Sequence, residues 1–332
     1  MEQPLLDIKG LTVSIPVRGG ERAAVSNVDL SVGRGEVVGL VGESGSGKSL
    51  SMLAVMGLLP RHFAVSGSIR FDGMELCGAP ERAMRALRGR RIAMVFQDPM
   101  TALNPVRTVG AQIAEMIRLH NPRLSGAEVR ERALGLLEAV AIPAPERRFD
   151  QYPHEFSGGM RQRVVIAIAI ANDPDLLIAD EPTTALDVTI QAQIMEIFAR
   201  LRAERGIAVV LITHDLGLVA GLADRMSVLY AGRIAERGPV GPVFAAPRHP
   251  YTAGLLAAVP SIDDVAERLY AIPGTPPGLG ERPPGCAFAP RCGFAVPLCR
   301  SSEPALARFG SAVAACHRAG ELSLSHLSEK EA

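Results

Sequence analysis

Gly42-Glu43-Ser44-Gly45-Ser46-Gly47-Lys48-Ser49 fits G-x-x-x-x-G-K-[ST], the pattern of a phosphate-cradling loop. The apolar run Glu36-Val37-Val38-Gly39-Leu40-Val41 leads into it as a buried strand, and Leu50 to Leu59 follows as a helix. Strand, loop and helix in that order are the context the pattern requires. Glycines let the backbone turn tightly, so that successive N–H groups point at one anion. The helix N-terminus adds its dipole. Lys48 is expected to reach the β- and γ-phosphates of a nucleotide, and the Ser49 hydroxyl to hold Mg²⁺. Lysine occurs only at Lys9, Lys48 and Lys330. One of these few stands at the one place in the loop where a lysine is needed.

The composition bounds what surrounds this loop. At 332 residues the chain has room for two domains, or for one domain with an extension, and 48% hydrophobic residues allow a substantial core. Lys+Arg and Asp+Glu stand at 35 each, and a zero net charge gives no support for general nucleic-acid binding. Met1-Glu2-Gln3-Pro4 shows no basic stretch followed by an apolar core, so no signal peptide is expected. The longest apolar run, near Val164–Ala171, falls far short of the ~20 residues of a membrane-spanning helix. A soluble protein is expected, with any membrane association running through a partner.

Two further segments carry nucleotide chemistry. Asp175-Leu176-Leu177-Ile178-Ala179-Asp180-Glu181 reads as a buried strand ending in two carboxylates. A parallel strand delivers its last residues to the edge of the sheet where ligands bind. Asp180 would serve Mg²⁺ there, and Glu181 would polarise an attacking water. Alone, the segment could also be a strand running into an acidic helix start, since Pro182 suits a first turn. Phe156-Ser157-Gly158-Gly159-Met160 precedes the apolar Arg161–Ala169, with Ser157 as N-cap and two glycines permitting close approach of a phosphate. Simple capping of a core helix explains that segment as well.

Taken together, these residues resemble the ATP-binding subunits of ABC transporters. Ser157-Gly158-Gly159 matches the core of that family's signature, with Phe156 and Met160 as variants of its flanks. Gln97 lies in Val95-Phe96-Gln97-Asp98-Pro99, like the Q-loop; Asp187 closes Thr184-Ala185-Leu186-Asp187, like the D-loop; His214 follows the apolar Ile207–Thr213, like the switch histidine. The resemblance implies an α/β fold: a RecA-like P-loop NTPase core, an antiparallel β subdomain, a helical subdomain at about 98–158 and a small Pro/Gly/Cys-rich extension. The ATPase domain would cover 1–250 and the extension 251–332. It also implies roles. Glu181, His214 and Gln97 would be catalytic. Gly42 to Ser49, Gln97 and Asp180 would bind nucleotide, with Ser49, Gln97 and Asp180 around Mg²⁺. Ser157, Gly158, Gly159 and Met160 would face ATP held by a second ATPase chain, with Asp187 nearby. One departure is Ile15, which stands about where the family places an aromatic residue to stack on adenine.

The wider sequence narrows the branch. Phe96-Gln97-Asp98-Pro99-Met100-Thr101-Ala102-Leu103-Asn104-Pro105 and Tyr152–Arg163 are similar to the oligopeptide/dipeptide importer ATPases, as are Ala179–Thr189, His249-Pro250-Tyr251-Thr252 and Ile272–Pro277. The resemblance implies a peptide importer at the cytoplasmic face of the bacterial inner membrane. Its partners would be two transmembrane permease subunits, a second and related ATPase, and an extracytoplasmic solute-binding protein, with no nucleic acid. Nickel, glutathione or another small solute is the alternative cargo. A soluble ABC ATPase acting on DNA or ribosomes would carry a second cassette or a long coiled-coil insertion, and neither is present. Thr101–Arg107 is a candidate docking surface for a permease helix.

Four of the five cysteines, Cys286, Cys292, Cys299 and Cys316, sit in a tail rich in proline and glycine. Such a segment lacks core and needs a staple. In a cytosolic protein a metal is favoured over disulfides. Four thiolates suit a [4Fe–4S] cluster or tetrahedral Zn²⁺; free, redox-reactive thiols are the third reading. The missing C-x2-C knuckle favours iron–sulfur, and some relatives in this branch carry a cluster in the tail. His317 reads as a neighbour, Cys77 as a bystander, and the last dozen residues as a frayed polar end.

Overall fold

The computed structural model describes residues 3–184, 186–259 and 270–324. Ala185 and, from residue 325 on, the polar end expected to fray lie outside the described residues. The chain divides into two compact units, Met1–Val32, Val37–Gly78 and Thr213–Ala332 forming one, and Gly33–Glu36 with Ala79–Ile212 the other. In chain order the strands are β1 (Leu6–Val17), β2 (Gly20–Val32), β3 (Val37–Val41), β4 (Ala64–Phe71), β5 (Met74–Glu75), β6 (Ile92–Val95), β7 (Leu176–Asp180), β8 (Ala208–Thr213), β9 (Arg225–Tyr230), β10 (Arg233–Pro239), β11 (Ala307–Phe309) and β12 (Ala312–Ala314).

The first unit holds an antiparallel sheet in the order β2-β1-β4-β5. Along β1 the buried residues are Leu6 and Ile8, then Leu11 and Val13. The switch from even to odd positions coincides with a register shift between Ile8 and Leu11, which turns the strand so that its apolar face stays inward. The alternation over Ser66–Asp72 suggests an edge strand. β4 pairs with β1, and only at its last two residues, Arg70 and Phe71, is it also covered, where Asp72 and Gly73 both take positive φ and fold the chain back as β5. In the other sheet of this unit β3 runs parallel to β9, which continues antiparallel through β10 and β12 to β11. Every residue of β3 is buried, as its unbroken apolar sequence requires. Its core gathers Val41, Val219, Met226, Val228 and Tyr230, together with Tyr251 and Phe288 from beyond residue 250.

The helix after the loop is Lys48–Val55, shorter than a helix reaching Leu59. Gly57 N–H donates to Ala54 O and Leu58 N–H to Leu53 O, the crossed bonds that close a helix at a C-terminal glycine.

In the second unit β6, β7 and β8 run parallel, with β7 in the middle, and β7 is wholly buried. Helices Val109–His120 and Gly126–Ala139 occupy the stretch expected to be helical. The second of these starts at a reciprocal Ser125–Glu128 capping box. No helix among the described residues is long and apolar enough to cross a membrane.

Candidate nucleotide site

The phosphate loop hangs from the end of β3. Gly42 has φ 150°, and a Cβ there would stand 2.2 Å from the Leu229 carbonyl oxygen, so only glycine fits. Gly47 precedes the helix Lys48–Val55 without a side-chain cap, so no side chain stands where an anion would meet that helix end. The Ser46 hydroxyl is buried and has no hydrogen-bond partner among the described residues. An orphaned donor of that kind suits a phosphate oxygen. Lys48 is buried, and its ammonium donates to the carbonyls of Gly42 at 2.7 Å and Glu43 at 2.9 Å.

Glu43 is held from elsewhere in the same unit. Its N–H donates to the Tyr251 hydroxyl at 2.8 Å. Its carboxylate accepts two N–H groups of Arg291, at 2.7 and 2.9 Å. Arg291 is 5% exposed and also donates from Nε to the Pro273 carbonyl and from Nη1 to the Tyr230 hydroxyl. The carboxylate of Glu43 holds this guanidinium above its ordinary pKa. Burial pushes the Tyr251 hydroxyl up in the same way, so both stay in the charge states the contacts need. Beneath them His249 Nδ1 accepts the Tyr251 N–H, and Glu236 accepts the N–H groups of Arg248 and His249. Complete burial lowers His249 to about 4, leaving its ring neutral. His214 is exposed just past the end of β8. The next residue, Asp215, accepts N–H groups of Gly217 and Leu218 and so caps the helix Leu216–Leu222.

In the second unit Asp180 ends β7 and is buried. Glu181 follows with φ 46°, unusual for a residue with a side chain. Its carboxylate accepts Gln97 Nε2 at 2.9 Å and Thr184 Oγ1 at 3.0 Å, and its N–H donates to Ile212 O at 2.9 Å. Gln97 and Glu181, separated by most of the unit's sequence, are thus brought together. Ser157 caps the helix Gly158–Ala169 by accepting the Met160 N–H, and Asp187 caps Val188–Arg205 by accepting the Ile190 N–H. A Cβ on Gly159 would meet Ile190 Cγ2 at 2.6 Å. Close packing therefore requires that glycine, whatever approaches the helix end.

In the tail, Cys286, Cys292, Cys299 and Cys316 line one cavity with Phe288, Phe294 and His317. Its roughly 20 Å³ admits one water molecule. Burial raises the thiols of Cys286, Cys292 and Cys316, with neighbouring cysteines adding to the rise. Among the described residues no three or more His, Cys, Asp or Glu side chains stand close enough to hold a metal ion. His317 Nε2 donates to the Ser302 carbonyl at 2.9 Å. Cys77 is not among the residues of the cavity.

Arg291, Tyr230 and Tyr251 are the residues that sequence reasoning missed. Arg291 lies 248 positions from Glu43, and no spacing rule links them. The available signal was an arginine between cysteines in the otherwise uncharged stretch Pro283–Cys299, a place where a cation needs a buried partner.

Residues 25–184 match the family described as ABC transporter, and residues 235–299 the family described as oligopeptide/dipeptide transporter, C-terminal region. The chain is 51% identical over 314 residues to a putative peptide import ATP-binding protein of Brucella abortus, covering 94% of each. It is 53% identical over 304 residues to the oligopeptide transport ATP-binding protein OppD of Mycobacterium tuberculosis, covering 91% of this chain and 50% of that one. A dimeric bacterial ABC transporter cassette of known structure superposes with a TM-score of 0.64 at 30% identity, over 71% of this chain and 98% of the cassette. A post-hydrolysis state of an ATP-binding cassette bound to ADP and Pi gives the same score, identity and coverage. With the loop, the Asp180–Glu181 strand end and the C-terminal region in place, the chain belongs to the ATP-binding proteins of the ABC transporter family, in the branch marked by the oligopeptide/dipeptide transporter C-terminal region.

Proposed function

We propose that the chain hydrolyses ATP to power the import of di- or oligopeptides through an ABC membrane permease. The observation that carries this is the union of a cassette with the oligopeptide/dipeptide C-terminal region, in a chain 51% identical to a peptide import ATP-binding protein along nearly its whole length. It works at the cytoplasmic face of the inner membrane, on two transmembrane permease subunits. A related second ATPase completes the nucleotide sites, and an extracytoplasmic binding protein delivers cargo. The exposure of Met100 and Val106, beyond Gln97, supports that stretch as the permease contact.

The loop amides, the Ser46 hydroxyl and Lys48 bind phosphate oxygens. Ser49, Gln97 and Asp180 offer the oxygen donors that a hard dication takes. Mg²⁺, when bound, neutralises charge developing on the β- and γ-oxygens. Glu181 orients water and takes its proton, and the hydrogen bonds from Gln97 and Thr184 fix that carboxylate. His214 contacts the γ-phosphate. Ser157 to Met160 present a helix N-terminus to ATP held by the second ATPase, with Asp187 at that junction.

The test is uptake of labelled di- and oligopeptides by cells carrying Glu181→Gln in the native copy. Loss of peptide uptake, with nickel and glutathione uptake intact, supports the proposal and fixes the size class. Unchanged peptide uptake with loss of nickel or glutathione uptake would move the same machinery to that cargo.

Cys286, Cys292, Cys299 and Cys316 are the ligands of a [4Fe–4S] cluster in this reading, with Zn²⁺ as the alternative. The gathering of all four at one cavity supports it. Anaerobic purification should yield iron, sulfide and a broad absorbance near about 400 nm. Zinc without iron would decide for the alternative, and neither would leave free thiols.

A further inference from the structure

Glu43 places a carboxylate inside a loop whose task is to hold polyphosphate. Two negative groups that close repel, and partial burial weakens the screening that would soften the effect. Arg291 answers that charge with a two-pronged contact at 2.7 and 2.9 Å. This geometry fixes direction as well as charge. The guanidinium is itself fixed, by the Pro273 carbonyl and the Tyr230 hydroxyl. On the backbone side, Tyr251 accepts the Glu43 N–H and Lys48 donates to the Glu43 carbonyl. One loop residue is therefore gripped at its amide, its carbonyl and its carboxylate, and two of the three grips come from beyond residue 250.

We propose that Arg291 and Tyr251 are positioning residues of the phosphate loop. Arg291 neutralises Glu43 and holds its carboxylate off the bound polyphosphate, while Tyr251 fixes the Glu43 amide. The C-terminal region is then part of the nucleotide site of its own chain. This rests on reading Gly42 to Ser49 as the nucleotide loop.

The experiment is equilibrium binding of ATP to the full-length chain. Arg291→Ala is expected to weaken binding about tenfold, because an uncompensated carboxylate is left beside the phosphates. The double variant Arg291→Ala with Glu43→Gln is expected to bind within about twofold of wild type, because the repulsive charge has gone. Arg291→Lys keeps the charge but loses the fork, and reads the same contact if the alanine variant fails to fold; about a threefold loss is expected. Wild-type binding in Arg291→Ala overturns the inference. A double variant as weak as Arg291→Ala also overturns it, since a merely structural arginine gives no rescue. Lys48→Ala separates the two levels. If it binds ATP as wild type does, the loop reading falls and the inference with it. If it loses ATP while Arg291→Ala keeps it, the inference alone falls.

Discussion

Gly42 to Ser49 takes its shape from the backbone: a buried strand, a glycine pressed against the Leu229 carbonyl, and a helix that starts without a side-chain cap. The tail from Gly274 to Leu324 contains only short elements, such as Pro297–Ser301, β11 and β12. Side chains hold it instead, with Arg291 reaching the Pro273 carbonyl and Glu43 while Phe288 packs among Tyr230, His249 and Tyr251. Both regions lean on one core. A site written in backbone geometry repeats as a short pattern wherever it occurs, whereas one written in side-chain contacts leaves no local pattern. Damage should follow the same division: loop variants break chemistry, and tail variants break support.

The largest expected effect is Lys48→Ala, which should cut ATP hydrolysis about 10³-fold, as loss of a charged group on the transferring phosphoryl does. Steady-state ATPase assays read this directly, and a small effect would remove the loop from the functional side of the comparison. Gly42→Ala should cost about 3 kcal/mol in denaturant unfolding, through backbone strain and overlap with Leu229. A neutral result would mean the loop is not dictated by its backbone.

The support under the tail should respond to acid. His249 has a folded-state pKa of about 4, below its unfolded value. Between that value and the ordinary histidine range the unfolded chain binds more protons, so stability is complete above pH ~6.5 and falls as pH drops toward ~4. Glu236 opposes part of this, because burial raises its carboxyl and so favours the folded state at lower pH. A net loss of about 2 kcal/mol between pH ~7 and ~4.5 is expected in denaturant titrations, and His249→Asn should flatten it. An unchanged slope in that variant would assign the acid sensitivity elsewhere. Smallest of all is Glu321→Gln, which breaks an exposed pair with Arg318 in the same tail. Less than about 0.5 kcal/mol is expected, against the tenfold effect on ATP from the buried Arg291.

The same division explains what could be read beforehand. Strands β3, β7, β8 and β9 show as apolar runs, and the stretches Val109–Leu119 and Gly126–Val140 read as helical. Ser157 is visible as a cap residue because capping is a local event. The Gln97–Glu181 contact was reachable only through resemblance, since neither residue's neighbours point to the other. The short return of β5 beside the end of β4 was not legible, because alternation along a strand reports its faces and says nothing about its edges. Arg291 on Glu43 was out of reach for the reason that makes it informative: it is a tertiary contact between two residues unremarkable in their own surroundings.

Glu181 has one more consequence. A side chain at φ 46° sits in a conformation that asparagine or glycine adopts at less cost. The protein therefore carries the carboxylate proposed to activate water on a strained peptide. Directed evolution that rewards heat resistance alone would drift toward replacing Glu181, and would recover sturdier proteins that bind their fuel and never burn it.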